Sequence, residues 1–223
     1  MKEKSILILG AGEQARIVLD ILRENNKEIF GFVDICDNSS LWGKKIKDYK
    51  ILGGMSILSE IFKQGVKKTI VAFGDNKKRL HTANRASEIG FELVNAISPS
   101  AFVSQESKLG EGIVIGPKVI INTDVGIEDN AIINSGAIIE HDCIIEQGVH
   151  IAPGANLAGG VRVKRCAFIG IGATIIDDLI IGENSIVGAG SVIIKNIPDN
   201  VTVVGVPGEI IKEHNVHKYI PIV

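Results

Sequence analysis

The sequence predicts a two-part fold. Residues 1–96 are expected to form a small Rossmann-like α/β domain with a parallel sheet, and residues 97–223 an all-β parallel β-helix with a C-terminal tail. Two observations carry this prediction. Strands and helices alternate in the first part, and an unbroken six-residue repeat fills most of the second.

The repeat comprises seventeen consecutive blocks over residues 97–198, and every block begins with Ile, Leu or Val. The stretch holds 35 such residues, and 17 of them fall on the 17 first positions. A period of six fits neither a helix nor one flat strand. It fits a short strand followed by a corner, with the first residue stacked inward on the next coil. Three blocks per coil give nearly six coils.

Two further features of the repeat support this interpretation. The fifth position is always small or aliphatic, so Cys143 at such a position is expected in the core. Glycines gather at the second and fourth positions, where tight corners need a permissive backbone. Open coil ends would expose unpaired backbone groups, so we expect the α/β domain and the tail after Val201 to cap them.

The first part contains four predicted strands and three predicted helices. The strands are placed at residues 5–9, 29–33, 69–73 and 91–96, and the helices at 13–25, 57–62 and 76–89. This alternation predicts parallel strands joined by right-handed crossovers. The boundary with the repeat is expected near residues 97–99, where helical spacing stops.

The turn after the first strand reads Gly-Ala-Gly-Glu-Gln-Ala and satisfies G-x-G-x-x-G/A, and Asp34 ends the second strand. This pattern predicts phosphate at a helix N-terminus and a carboxylate on ribose hydroxyls; the alternative is only a tight strand-to-helix turn. A second loop follows the third strand at the same sheet edge. The residues predicted to bind the substrate are Gly10, Gly12, Gln14, Asp34, Gly74 and Asn76.

Composition narrows the class of protein. A net charge of -2 and 4% aromatic residues argue against nucleic-acid binding. The sequence has no apolar stretch of about 18 residues, so no membrane span is expected. Three scattered cysteines (Cys36, Cys143 and Cys166) lack metal-ligand spacing, which predicts no metal site. Together with a first segment that lacks a signal-peptide pattern, they indicate a reducing cytoplasm.

Several motifs resemble one enzyme family. They are N-S-G-A-I-I-E-H-D over 134–142, H-I-A-P-G-A over 150–155, G-D-N-x-x-R over 74–79 and V-G-V-P over 204–207. Together they resemble the sialic acid O-acetyltransferase/nucleotide-amino-sugar N-acetyltransferase family, which includes enzymes acting on UDP-linked sugars for bacillosamine and on GDP-perosamine. The resemblance covers essentially the whole chain. It implies a left-handed coil, acetyl-CoA as co-substrate, and a homotrimer with active sites between neighbouring β-helices.

The resemblance also implies residue roles. His141 matches the general base, Asp142 the carboxylate that supports it, and Asn134 an asparagine close by. His150 matches a residue that contacts acetyl-CoA, and Gly159 and Ile171 match positions that line the pantetheine channel. A neutral imidazole suits removal of a proton from an attacking amine or hydroxyl.

Each of these residues also has a purely structural interpretation. His141 and His150 could be exposed residues of the coil, and Asn134 could bond its own backbone. Adjacent strand residues point to opposite faces, so Asp142 can contact His141 only across a corner.

The sequence departs from the family pattern in the acceptor region. Glu13, Gln14 and Ala15 replace the Gly, His and Gly of the family's turn, and Ile35 replaces an acidic residue. Glu13 would repel a pyrophosphate if it pointed inward.

The predicted function is acetyl-CoA-dependent N-acetylation of a nucleotide-linked amino sugar. Two alternatives stay open: a sugar O-acetyltransferase of the sialic acid type, and a non-catalytic nucleotide-binding trimeric scaffold. An NAD-dependent oxidoreductase would rest on the glycine turn and Asp34 alone, and the sequence has no second catalytic domain to accompany them.

Overall fold

The structure is a computed structural model that describes residues 5–37 and 39–214. Its first part is a four-stranded parallel sheet in the order Ile29–Val33, Ile6–Leu9, Lys68–Val71 and Glu92–Leu93. The helices are α1 (Glu13–Glu24), α2 (Leu58–Lys63) and α3 (Asn76–Ile89). A 3-10 turn at Met55–Ile57 and a small hairpin of Lys45–Ile46 with Tyr49–Lys50 complete this domain.

The sheet is buried on both faces because side chains alternate along each strand. Ile6 and Ile8 pack with α1 on one side, whereas Leu7 and Leu9 pack with α2 and α3 on the other. The ends of α3 are well defined. The Asp75 carboxylate accepts from the Lys78 amide at 2.9 Å, and Gly90 closes the helix in the left-handed conformation.

The second part is a parallel β-helix of about six turns with three faces. The first face contains Ala96–Ile97, Val114–Ile115, Ile132–Ile133, His150–Ile151, Phe168–Ile169 and Ile186–Val187, continued by Val201–Val204 and Glu209–Glu213. The second face contains Phe102–Val103, Ile120–Ile121, Ile138–Ile139, Asn156–Leu157, Thr174–Ile175 and Val192–Ile193. The third face contains Lys108–Leu109, Gly126–Ile127, Ile144–Ile145, Arg162–Val163 and Ile180–Ile181.

The predicted six-residue register is confirmed. From Ile115 to Ile193, every first position is buried in one continuous core. Every fourth position from Gly112 to Gly190 has a positive φ, including Asp142 at 60°. Glycine, asparagine and aspartate hold most of these corners, as expected for residues that tolerate the left-handed region.

One predicted strand is wrong. Residues 91–96 do not form a single strand, because Glu92–Leu93 ends the α/β sheet and Ala96–Ile97 begins the first coil. Asn95 makes the transition between them. Its side chain donates to the Gly110 carbonyl and accepts from the Ile113 amide, both at 2.9 Å, so it continues the hydrogen bonding of the coil.

The α/β domain packs along the side of the coils, and the expectation that it caps one end stays a prediction. Ala96, Val114 and Ile132 of the first face share a core with α1 and the sheet. At the other end, the strands Val201–Val204 and Glu209–Glu213 form an antiparallel hairpin that extends the first face. The rest of the tail, 215–223, lies outside the described residues. No described helix is long and apolar enough to cross a membrane.

Candidate active site

Five of the residues predicted for acetyl transfer lie on two of the three edges between the faces of the coil. His141, Asp142 and Gly159 lie on the edge between the second and third faces, called the base edge here. Asn134 and Ile171 lie on the edge between the first and second faces, called the amide edge. Within one chain the predicted residues therefore form two separate groups.

His141 and Asp142 form a hydrogen-bonded pair on the base edge. Nδ1 of His141 lies 2.8 Å from Oδ2 of Asp142, and both side chains are exposed. The bond from Asp142 raises the pKa of His141, and the charges of Asp142, Glu140 and Asp177 raise it further. Nε2 has no hydrogen-bond partner in the part of the chain that the structure describes. The pair therefore presents a free, oriented ring nitrogen to a ligand.

Gly159 lies one coil beyond His141 and leaves the space that the imidazole occupies. A Cβ at residue 159 would lie 2.6 Å from Cε1 and 2.8 Å from Nε2 of His141. On the other side of the ring is a shallow pocket of about 250 Å³, lined by Phe102, Ser104, Asn122, Thr123, Glu140 and His141. Asn122 donates to the Glu140 carboxylate at 2.8 Å. Sequence reasoning missed these two residues, although their 18-residue spacing places them on adjacent coils of one edge.

His150 is buried rather than exposed, with 8% of its surface accessible. Its ring packs edge-on against Phe168, with ring centroids 5.1 Å apart on the first face. Nε2 lies 3.4 Å from Nδ2 of Asn134, and Nδ1 has no hydrogen-bond partner among the described residues. Burial, and then the charge of Arg79, lowers the pKa of His150 to about 4. The imidazole is therefore neutral at physiological pH.

Asn134 and Ile171 complete the amide edge. The Asn134 amide oxygen accepts from the Ser135 backbone amide at 2.8 Å, as the structural interpretation expected, while its nitrogen faces His150. Ile171, two coils further along the same edge, is 59% exposed and presents an apolar surface.

The glycine turn lies at the carboxyl edge of the α/β sheet. Gly10 has a φ of 125°, and a Cβ there would lie 2.7 Å from the Ala72 carbonyl oxygen, so no larger residue fits. Glu13 is exposed. Nε2 of Gln14 is buried without a hydrogen-bond partner in the described residues. Asp34 is largely buried, and its carboxylate accepts from the Ile35 amide at 2.7 Å.

A pocket of about 330 Å³ lies beside this turn. It is lined by Ile35, Cys36, Met55, Phe73, Lys78, His81, Thr82 and Arg85. The three basic side chains come from successive turns of α3, whereas the apolar ones come from the ends of the strands and the 3-10 turn. We name this the α3 pocket. Its basic residues were missed from the sequence, although their helical spacing places them on one face.

The structure places Gly74 and Asn76 at the junction with the β-helix. The Asn76 amide nitrogen donates to the Cys166 and Ala167 carbonyls, each at 3.0 Å, and its oxygen accepts from Arg79 at 2.9 Å. The Gly74 carbonyl also accepts from Arg79, at 3.3 Å. The Asn76 amide is therefore engaged at the junction, and its role in binding the substrate stays a prediction.

Cys143 does not have the environment of a reactive nucleophile. Cys143 is fully buried, and burial raises the pKa of its thiol to about 11, so it belongs to the core as predicted. No cluster of three or more His, Cys, Asp or Glu side chains suited to a metal ion occurs in residues 5–37 and 39–214.

Comparison with known proteins gives two family matches. Residues 5–86 match the PglD N-terminal domain, and residues 124–159 match the bacterial transferase hexapeptide repeat. One similar solved structure is a histidine-to-alanine mutant of GDP-perosamine N-acetyltransferase from Caulobacter crescentus in complex with CoA and GDP-perosamine. It shares 38% identity with a TM-score of 0.90, over 94% of this chain and 97% of that one. This likeness assigns the coil to the left-handed parallel β-helix.

A second similar structure is the acetyltransferase domain of PglB from Neisseria gonorrhoeae in complex with acetyl coenzyme A. The identity is 29% and the TM-score 0.85, over 93% of this chain and 99% of that one. A serine acetyltransferase of Buchnera aphidicola is 40% identical over 57 residues, which are 26% of this chain. That match spans only about a fifth (21%) of the curated relative.

Proposed function

Because this chain belongs to the family of hexapeptide-repeat sugar acetyltransferases with a PglD-type N-terminal domain, we propose that it transfers the acetyl group of acetyl-CoA to the amine of a nucleotide-linked amino sugar. The observation that carries the proposal is the His141–Asp142 pair, bonded at 2.8 Å on an exposed edge with Nε2 free. The similarity to a GDP-perosamine N-acetyltransferase along nearly the whole chain supports it.

His141 is proposed as the general base. The neutral amine of the acceptor attacks the thioester carbonyl, a C–N bond forms, the C–S bond breaks, and the amine proton passes to Nε2. Asp142 holds Nδ1–H, so the lone pair of Nε2 faces the substrate, and it stabilises the imidazolium that forms. The proton then leaves with the CoA thiolate as the thiol. The thioester is reactive enough that no enzyme nucleophile is needed, which agrees with the buried, inert Cys143.

We propose that each active site is completed by a second copy in a homotrimer. His141 and Gly159 lie on the base edge, whereas Asn134 and Ile171 lie on the amide edge of the same chain. One site can use both groups only when the base edge of one protomer faces the amide edge of its neighbour. Threefold symmetry forms three such contacts with identical surfaces. Exposed Ile171 suits the narrow, largely apolar arm of CoA, whereas the space beside Gly159 holds the His141 imidazole.

The acceptor's nucleotide is proposed to bind in the α3 pocket and the neighbouring glycine turn. Ligands of parallel sheets sit at the carboxyl edge, where Gln14 and Asp34 also lie. Lys78 and Arg85 supply the positive charge that the turn lacks. The three cysteines are free, which agrees with the reducing cytoplasm as the expected compartment.

The first test is the variant His141→Ala with acetyl-CoA and a nucleotide-linked amino sugar. Loss of a general base should lower kcat by roughly 10²- to 10⁴-fold, while the Kd for acetyl-CoA stays within about twofold, because the imidazole supplies little of the CoA contact area. Turnover is followed by thiol release and binding by calorimetry. Glu106→Ala, an exposed residue two coils away on the same edge, is the matched control.

Undiminished turnover in His141→Ala would show that His141 is not the general base. Assays with the hydroxyl counterpart of the same sugar distinguish N- from O-acetylation. Faster transfer to the hydroxyl compound would favour the O-acetyltransferase, and binding of nucleotide without any turnover would favour the scaffold.

A further inference from the structure

Arg79 is a fully buried cation without a carboxylate partner in the described residues. Its relative exposure is 0%, and no aspartate or glutamate lies within salt-bridge distance. Burial lowers the pKa of its guanidinium to about 10, so the group stays protonated at neutral pH. A buried charge is costly unless hydrogen bonds satisfy it.

Six oxygen atoms satisfy the Arg79 guanidinium, and they come from both domains. In the α/β domain, it donates to the carbonyls of Phe73 and Gly74 at 3.1 and 3.3 Å and to Oδ1 of Asn76 at 2.9 Å. In the β-helix, it donates to the carbonyls of Asn130 and Gly148 at 2.8 Å and of Val149 at 3.3 Å. The rigid guanidinium fork therefore joins one loop to two successive coils.

The neighbours of Arg79 extend this junction along one edge of the β-helix. Asn76 reaches the Cys166 and Ala167 carbonyls on the next coil. Leu80 occupies the space above Gly148, where a Cβ would lie 2.7 Å from its side chain. Asn130, Gly148 and Cys166 are 18 residues apart, so the first turn of α3 crosses three consecutive coils at the edge between the third and first faces.

Helix α3 also lines the α3 pocket, and it does so with residues that are next in sequence to those at the junction. Lys78 precedes Arg79, and His81 follows Leu80, so two side chains of α3 enter the pocket while the two between them hold the β-helix. The position of α3 on the coils thus sets where a bound nucleotide lies relative to the edges that carry the transfer chemistry.

We propose that Arg79 is a positioning residue that fixes the acceptor-binding α/β domain on the β-helix, so that a sugar held by its nucleotide reaches the acetyl-transfer centre in the reactive position. The inference rests on the proposed function, because it assigns the two binding steps to separate domains. Arg79 itself is not expected to touch either substrate. It acts through the loop Phe73–Asn76 and the first turn of α3.

The test compares Arg79→Met with Arg23→Met, an exposed arginine of α1 in the same domain. In Arg79→Met, kcat with a nucleotide-linked amino sugar should fall roughly 10- to 100-fold, as expected when bound reactants are displaced by about 1 Å. The Kd values for acetyl-CoA and for UDP or GDP alone should stay within about threefold, since each domain keeps its own pocket. Arg23→Met should change none of these values.

Hydrogen exchange provides a readout that does not depend on turnover. Loss of the Arg79 hydrogen bonds at the junction should raise amide exchange at residues 73–76 and 148–149, while the coils beyond residue 170 keep their protection. If Arg79→Met does not fold, Asn76→Ala tests the same junction, with a smaller loss of kcat expected. An unchanged kcat, an equal loss of kcat and binding, or unchanged exchange at the junction would overturn the proposal. A wild-type protein without turnover would contradict the proposed function, and the exchange experiment would still decide the role of Arg79.

Discussion

The carboxylate of Asp142 contacts the imidazole of the preceding residue, His141, because the chain turns a corner of the coil at Asp142. Adjacent residues of a strand point to opposite faces, so an ordinary His-Asp dipeptide could not form the 2.8 Å bond seen here. With a φ of 60°, Asp142 occupies the fourth position of its block, which is left-handed throughout the middle of the coil. The sequence required a corner between the two residues, and the register of the repeat places Asp142 at that corner.

The pH dependence of transfer should report this bond. A base works only when neutral, so kcat/KM should rise as the pH passes the pKa of His141, and the bond to Asp142 raises that pKa above its ordinary value of 6.5. Asp142→Asn removes the carboxylate, so the acid limb should move to lower pH while the maximal rate falls. The profile of kcat/KM against pH checks both. His150, with a pKa of about 4, should not contribute to this limb. If the acid limb lies at the same pH in Asp142→Asn as in the wild-type protein, the assignment of this limb to His141 is contradicted.

At the scale of elements, α3 both lines the α3 pocket and contacts the β-helix, and the sequence predicted its bounds but neither of these contacts. Its bounds, Asn76–Ile89, agree with the prediction because the Asp75 cap and Gly90 are local signals. Its role at the junction could not be predicted from local signals. The partners of Arg79 and Asn76 in the β-helix lie 51 to 91 residues away along the chain. Asn76 was predicted to bind substrate from its place in a loop at the carboxyl edge of the sheet, and its contact with the β-helix was not predicted.

The basic face of α3 gives a second prediction. Lys78→Ala and Arg85→Ala should each raise the Kd for UDP or GDP roughly 10- to 150-fold, since a hydrogen bond to a charged group contributes roughly 1.5–3 kcal/mol. The effect should shrink at high salt, because exposed charges are screened. Lys77→Ala is the matched control: Lys77 lies on the same helix with the same charge, but it does not line the α3 pocket. Calorimetric titration at two salt concentrations makes the measurement. Equal losses in Lys77→Ala would mean that the general field of the helix, rather than this pocket, attracts the nucleotide.

At the scale of the whole molecule, the repeat predicts the β-helix but not the contacts that the β-helix makes with the α/β domain. Every inward residue of the coil is fixed by a neighbour six or eighteen positions away, so the register from Ile115 to Ile193 follows from the pattern. The contact of Ala96, Val114 and Ile132 with the α/β domain depends on residues more than 70 positions distant, such as Ile8 and Val18. His150, for which an exposed position was one of two interpretations, is buried against Phe168 of the next coil, and Arg79 of the α/β domain lies close enough to lower its pKa.

The division of the site between two edges leads to a prediction about assembly. The variants His141→Ala and Asn134→Ala should each show reduced turnover when assayed alone. Each active site is proposed to take His141 from one protomer and Asn134 from the next. Trimers assembled at random from equal amounts of the two variants should therefore regain both residues in about a quarter of their sites. The variants are mixed unfolded, refolded together and assayed, with native mass spectrometry to verify mixed assemblies. Mixtures of His141→Ala with Asp142→Asn are the control, because these residues lie on one edge of one chain and no arrangement restores the pair. Mixed trimers of His141→Ala and Asn134→Ala that stay as inactive as the control would place the whole site within a single chain.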